Sequence, residues 1–224
     1  MKKILFCLAI IFTANTAMAS SKSIQLSLTP DTALHSRSET IEGLTLSIWG
    51  ENQQSALSLG FANGSSGESG GLSLGLILNY ADRYSGLHLA PVNYTSNKFF
   101  GLQLGCVNFA VHVKGLQLGL VNYVYEAQTF GLQLGGINYA GHMKGLQLGF
   151  INYVEKAQTF SIQLGGINYA GHMKGLQLGF INYAETAQAG VQIGLVNIIA
   201  QNEKWFGNFP DEVAPGMVIV NWRF

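Results

Sequence analysis

Residues 131–140 read GLQLGGINYA and residues 145–154 read GLQLGFINYV. The reading of this ten-residue unit decides the fold, because the chain is built from it. Outward from it, GLQLGCVNFA starts at Gly101, GLQLGLVNYV at Gly115, SIQLGGINYA at Ser161, GLQLGFINYA at Gly175 and GVQIGLVNII at Gly190. Weaker copies start at Gly43, Ala56, Gly71 and Gly86. Residues 133–153 recur unchanged at 163–183, so the duplicated unit is two repeats long. Each copy is rich in Leu, Ile, Val and Tyr and is closed by polar or Gly-containing punctuation, which is the grammar of strands in an all-β protein. A short fixed period is also the signature of a solenoid.

The intervals between copies from Gly101 run 14, 16, 14, 16, 14 and 15. Two kinds of link alternate. One is short and basic, VHVK before Gly115 and GHMK before Gly145 and Gly175; the other carries Glu126, Glu155 or Glu185. Alternation of this kind predicts an antiparallel up-and-down meander whose successive turns lie on opposite rims. Pairing positions that sum to 225 puts Gln103 opposite Asn122 and Asn108 opposite Gln117, giving cross-strand amide pairs. Gln and Asn are five apart in each copy, which strict alternation would send to opposite faces. A kink near Gly105 and its equivalents restores one polar and one apolar face, and a solenoid corner at the same glycine does so equally well.

Composition narrows the class. Charged residues make up 11% of the 224, against about 25% in ordinary globular chains, while apolar residues reach 48% and the formal net charge is zero. Disorder and nucleic-acid binding are both disfavoured. At the N-terminus, Lys2 and Lys3, the apolar run Ile4–Phe12 and Ala17-Met18-Ala19 have the layout of a secretory signal over residues 1–19. After it no apolar run is long enough for a transmembrane helix. Cys7 falls inside that signal and leaves Cys106 alone, so no internal disulfide forms in the mature chain. Cys106 stands where sister copies carry Leu, Gly or Phe, which points to an apolar role.

Ten-residue strands with links of four to six suit a bacterial outer-membrane barrel. Tyr94, Phe109, Tyr123, Tyr139, Tyr153, Tyr169 and Tyr183 end the strands and would form two aromatic girdles, with Phe100, Phe130 and Phe160 adding to one rim. Leu118 and Leu148 would face lipid and Gln117 the lumen. Val218, Val220, Trp222 and Phe224 alternate up to the C-terminus, and this segment resembles the closing strand of outer-membrane barrels. That resemblance implies recognition of Phe224 by the outer-membrane assembly machinery. The tandem units from about 86 to 199 resemble a family of bacterial exported surface-repeat proteins, a likeness that implies location rather than chemistry. The expected architecture is therefore an all-β, antiparallel transmembrane barrel of about twelve strands, built from 14–16-residue repeats over 42–224. Residues 20–41 form an N-terminal extension or extra strand, and fourteen strands stay open. The alternative is a β-solenoid of the same repeats.

The chemistry-bearing residues do not assemble into a site. His112, His142 and His172 recur every thirty residues, but turns two strands apart lie about 10 Å from each other, too far for one zinc ion. Glu126, Glu155 and Glu185 fail as an acid–base pair for the same reason. Ser58, Ser73 and His88 occupy the Gln position of early copies, yet an antiparallel register keeps Ser73 from His88. GLQLG lacks the Lys and helix of a phosphate loop. The expectation is a protein with no catalytic, cofactor or metal residues. It would be an outer-membrane or cell-surface barrel, structural or a narrow neutral pore, with membrane lipid as its partner. The alternative is an exported solenoid whose Gln and Asn ladders form a binding or adhesive face, located at the cell surface or in the periplasm. An outer-membrane hydrolase comes third.

Overall fold

Gln103 and Gln117 are neighbours across a parallel ladder, with Leu102 on Leu116 and Leu104 on Leu118 to either side. This register corrects the antiparallel barrel: in the computed structural model the chain is a parallel β-solenoid of about ten turns. The structure describes residues 21–156, 160–205 and 211–224, with 127–130 as backbone alone. The signal-like segment with Cys7, and the side chain of Phe130, lie outside what is described.

The strands are β1 (Ser21–Thr29), β2 (Thr32–Ala33), β3 (Thr40–Gln54), β4 (Leu57–Leu89), β5 (Val92–Leu104), β6 (Val107–Lys156), β7 (Ser161–Ile199) and β8 (Gly216–Arg223). The longest wind through several turns each. From β1 through β3, β4, β5 and β6 to β7 the pairing is parallel. Among the described residues, antiparallel pairs of strands occur only at the two ends, where β2 lies on β1 and β8 on β7. The segment 20–41 thus contains a strand of the solenoid's first turn.

From Gly101 the turns read GLQLG or a close variant, a corner, then V/I-N-Y-A or a close variant and a link. The corner resolves the five-residue offset between Gln and Asn: the chain changes direction at the fifth position, so both amides point inward. Close approach favours glycine there, although the copy from Gly86 carries Ala90. A Cβ on Gly165 would lie 1.9 Å from the carbonyl oxygen of Gly149 and 2.6 Å from Asn152 Nδ2. At the first position of several copies the backbone itself demands glycine, with φ of +133° at Gly101 and +142° at Gly115, whereas Ser161 fills that position in another.

The interior is polar. Gln103, Gln117, Gln133 and Gln147 are 0% exposed, as are Asn108, Asn122, Asn138 and Asn152. Burying amides costs free energy unless they are bonded, and here they bond up the stack. Gln117, Gln133, Gln147, Gln163, Gln177 and Gln192 each donate from Nε2 to the Gln of the preceding turn at 2.7–2.9 Å. The Asn column runs the other way, each Nδ2 donating to the Asn of the following turn at 2.8–2.9 Å from Asn93 to Asn182. The same Nδ2 reaches the carbonyl of the Leu before the next corner, as from Asn122 to Leu134 at 2.9 Å. Asn is therefore what satisfies a carbonyl that the corner turns into the core. Small apolar side chains fill the remaining space, Ala110, Val124, Ala140 and Val154 in one column and Val113 and Met143 in another. Gln117, expected to face a lumen, is instead buried in this packed core.

The C-terminal segment is a cap. β8 covers the edge of the last turn, with Val191 on Trp222 and Ile193 on Val220. Asn221 is buried and donates to the carbonyls of Asn197 and Ala214. Glu212 pairs with Arg223 and accepts the N–H groups of Glu203 and Lys204 at 3.1 Å. Burial pulls the Glu212 carboxyl upward, but those N–H groups and Arg223 prevail and leave it below the ordinary carboxylate range. The closing-strand role expected of 218–224 is thus replaced by end-capping, which repeat folds require.

Candidate binding surface

With Gln, Asn and Ala turned inward, the repeat has only Leu, Val, Ile, Phe and Tyr left to present outward along its two main strands. The outermost column is the corner position after the fifth glycine. It holds Leu76, Leu120, Phe150, Phe180 and Leu195, each 65–67% exposed, with Cys106 exposed in the same column. Gly136 and Gly166 alternate with the two phenylalanines, and the Phe150 ring lies against Gly166. Leu104, Leu148 and Ile193 are exposed on the strand before the corner, and Val107, Ile137, Ile167, Ile181 and Val196 on the strand after it. Two apolar faces therefore meet along a ridge. From Leu76 to Leu195 it crosses eight turn-to-turn steps, about 38 Å at 4.8 Å per step. Apolar exposure on that scale is uncommon on a monomeric soluble protein, which makes this ridge the candidate surface.

Beyond the apolar face comes an aromatic column. Tyr94, Phe109, Tyr123, Tyr139, Tyr153, Tyr169 and Tyr183 stack with centroids 4.4–5.4 Å apart and planes within 13° of parallel. They lie on one side of the molecule, which corrects the two girdles. Their ring faces cover one another, so the column presents edges and hydroxyls to the outside. The Tyr169 hydroxyl donates to Glu185, which with burial and neighbouring Tyr153 raises its pKa. Burial and the neighbouring Tyr123, Glu155 and Tyr153 push Tyr139 up to about 12.

The charged links form the remaining edge. His112 Nε2 lies 3.0 Å from Glu126, and His142 Nδ1 lies 2.7 Å from the Glu126 carbonyl oxygen. The basic and acidic links are therefore on the same edge in successive turns, a second correction to the two-rim reading. His112, His142 and His172 alternate with Glu126, Lys156 and Thr186, so the histidines stay two turns apart. Among the described residues no three His, Cys, Asp or Glu side chains gather as metal ligands. A groove of about 680 Å³ along this edge is lined by residues including Arg83, Lys98, Phe100, His112 and Lys114. It holds charge of both signs, since Arg83 pairs with Glu68 at 2.7 Å and His112 with Glu126.

Parallel stacking brings Ser58, Ser73 and His88 into one column, where the antiparallel register had separated Ser73 from His88. They are 1–3% exposed, so no substrate reaches them. Ser73 donates its hydroxyl to Asn79 Oδ1 at 2.9 Å. His88 lies between the Tyr84 and Phe99 rings, at 3.9 and 5.2 Å. Burial pushes its pKa down to about 3, and burial likewise raises that of Tyr84. The neutral imidazole is thus a core filler.

Comparison with protein-family models, curated proteins and solved structures finds no match for this chain.

Proposed function

We propose that this chain is an exported, non-enzymatic β-solenoid that acts as a binding or adhesive surface through its outward apolar faces. One observation carries the reading. The amides are buried at 0–2% while Leu120, Phe150 and Phe180 stand at 65–67% exposed, the reverse of a water-facing repeat protein. The Gln and Asn ladders, the binding face in the alternative solenoid reading, are consumed in the core, so the surface function passes to the Leu, Ile, Phe and Tyr positions. Export rests on the signal-like residues 1–19, and location at the outer membrane or cell surface goes with it.

The test is a triple variant, Leu120→Ser, Phe150→Ser and Phe180→Ser. Each site is exposed and outside the amide ladders, so the thermal transition should stay close to wild type. Retention on a phenyl-substituted matrix and sedimentation with the cell-surface fraction should both fall sharply. Unchanged retention by a folded triple variant would remove the proposal.

A further inference from the structure

We infer that the partner of this ridge is a lipid surface, in which the solenoid seats edge-on as far as its tyrosine and lysine columns. The inference rests on the binding-surface reading above and names what that surface binds. Its first support is how charge is distributed around a turn. Starting at the ridge and moving either way, the outward positions are Leu on one strand and Val or Ile on the other. Ionisable groups begin only where the link begins.

The second support is what stands at the two boundaries. On one side it is the tyrosine column, whose members combine an apolar ring with a polar hydroxyl. On the other, Phe100 is in register with Lys114, whose ammonium lies 5.5 Å from the Phe100 ring centre. Lys144, Phe160 and Lys174 follow at equivalent places in later turns. Tyrosine concentrates at the headgroup level of membranes, and lysine lays its stem along apolar surface while its ammonium stays in water. Interfacial residue types thus border the apolar wedge on both sides.

Depth decides between lying on a membrane and crossing it. The ridge and the tyrosine are three residues apart, at most about 10 Å along a strand. Lys114 and Leu120 are six residues apart, at most about 20 Å, so the lysine-side face lies aslant in the interface. A hydrocarbon core is about 30 Å thick, whereas interfacial elements sink about 5–10 Å. The wedge fits the second case. Its backbone meets the condition for entering lipid, because among the described residues the strands between the end pairs are paired in parallel from β1 to β7 and leave no open sheet edge along the faces. A sugar polymer is a poorer occupant, since the aromatic faces it would stack on are already taken by neighbouring rings. The charged edge carries both signs, so binding should not require anionic lipid.

Cys106 lies on the ridge and supplies the probe. In the full chain with Cys7→Ser, a polarity-sensitive fluorophore on Cys106 is mixed with phosphatidylcholine vesicles. The expected result is a blue shift, quenching by nitroxide-labelled acyl chains and protection from aqueous iodide, all retained at high salt. A companion chain carrying Cys7→Ser, Cys106→Ala and His142→Cys places the same fluorophore on the charged edge. It should bind the vesicles while its emission stays water-like and iodide-sensitive. An unchanged Cys106 signal with vesicles, or equal burial at both sites, overturns the inference. If the serine triple variant loses matrix retention yet the Cys106 probe ignores vesicles, the apolar binding surface stands and lipid is wrong. Shielding of Cys106 that needs no vesicles and grows with protein concentration would make a second copy of the chain the occupant, again against the inference.

Discussion

Gln133 Nε2 donates to Gln117 Oε1 at 2.9 Å, and Gln133 Oε1 accepts from Gln147 Nε2 at 2.8 Å. Removing Gln133 would leave Gln117 Oε1 without its donor and Gln147 Nε2 with only the Tyr153 carbonyl at 3.2 Å. The Asn column beside it is polarised in the opposite direction, so the two rows of amide dipoles oppose each other within one core. Each row ends where the sequence stops supplying amides. Gln103 turns to Thr95 Oγ1 at 3.3 Å, and Gln192 Oε1 at the far end has no partner.

Gln133→Leu should therefore destabilise the fold by about 1–3 kcal/mol, the cost of one buried amide oxygen left without a donor. Gln117→Arg should be worse, because it buries an unpaired charge. Urea denaturation of the two variants against wild type measures both. Tolerance of Arg at 117 would mean that the interior is wet.

Glycine positions should divide sharply. Gly165→Ala drives a Cβ to 1.9 Å from the Gly149 carbonyl oxygen, and it should cost at least about 3 kcal/mol or prevent folding. Gly136→Ala meets nothing nearer than 3.1 Å, at the Leu120 carbonyl oxygen, and should stay within about 1 kcal/mol of wild type. Thermal unfolding of the pair checks the corner geometry, which predicts a large gap between them.

Acid sensitivity should trace to His88. Its folded pKa of about 3 lies below the unfolded value of about 6.5, so below the latter the unfolded chain takes up a proton that the folded chain refuses. The stability linked to His88 is complete above that pH and is lost as pH falls towards 3, at about 1.4 kcal/mol per pH unit. At pH 5 the loss is roughly 2 kcal/mol. His88→Gln continues the Gln column by one turn, and its stability should be flatter between pH 6.5 and 4. An identical pH profile in the variant would clear His88.

Much of this architecture was legible in the repeats, and the errors have physical causes. Strand content, period and the turning role of the fifth glycine follow from GLQLGxxNYA itself. Direction did not, because Gln and Asn columns make amide pairs in either register: Gln103 can meet Asn122 antiparallel as readily as Gln117 in parallel. The 14–16 alternation suggested two rims, yet the structure absorbs it within one edge, as the contact of His112 with Glu126 shows. The inverted polarity was hidden by assuming that Leu faces a core or a membrane and Gln faces water. A signal was present. The third and eighth positions keep Gln and Asn through seven copies from Gly101, while the sixth reads Cys, Leu, Gly, Phe, Gly, Phe, Leu. Stacked interior positions must match their neighbours, and a ridge that faces outward need not.

Parallel winding is tested most directly on the outward face, where oxidation does not disturb the ladders. Leu104 pairs with Leu118 across the ladder, whereas an antiparallel hairpin with positions summing to 225 would oppose Leu104 to Val121. Two chains, each with Cys7→Ser and Cys106→Ala, would carry Leu104→Cys with either Leu118→Cys or Val121→Cys, and both would be oxidised while folded. In-register parallel neighbours about 4.8 Å apart lie within disulfide range. The solenoid predicts efficient bridging of 104 to 118 and little of 104 to 121; bridging of 104 to 121 with none to 118 would contradict it.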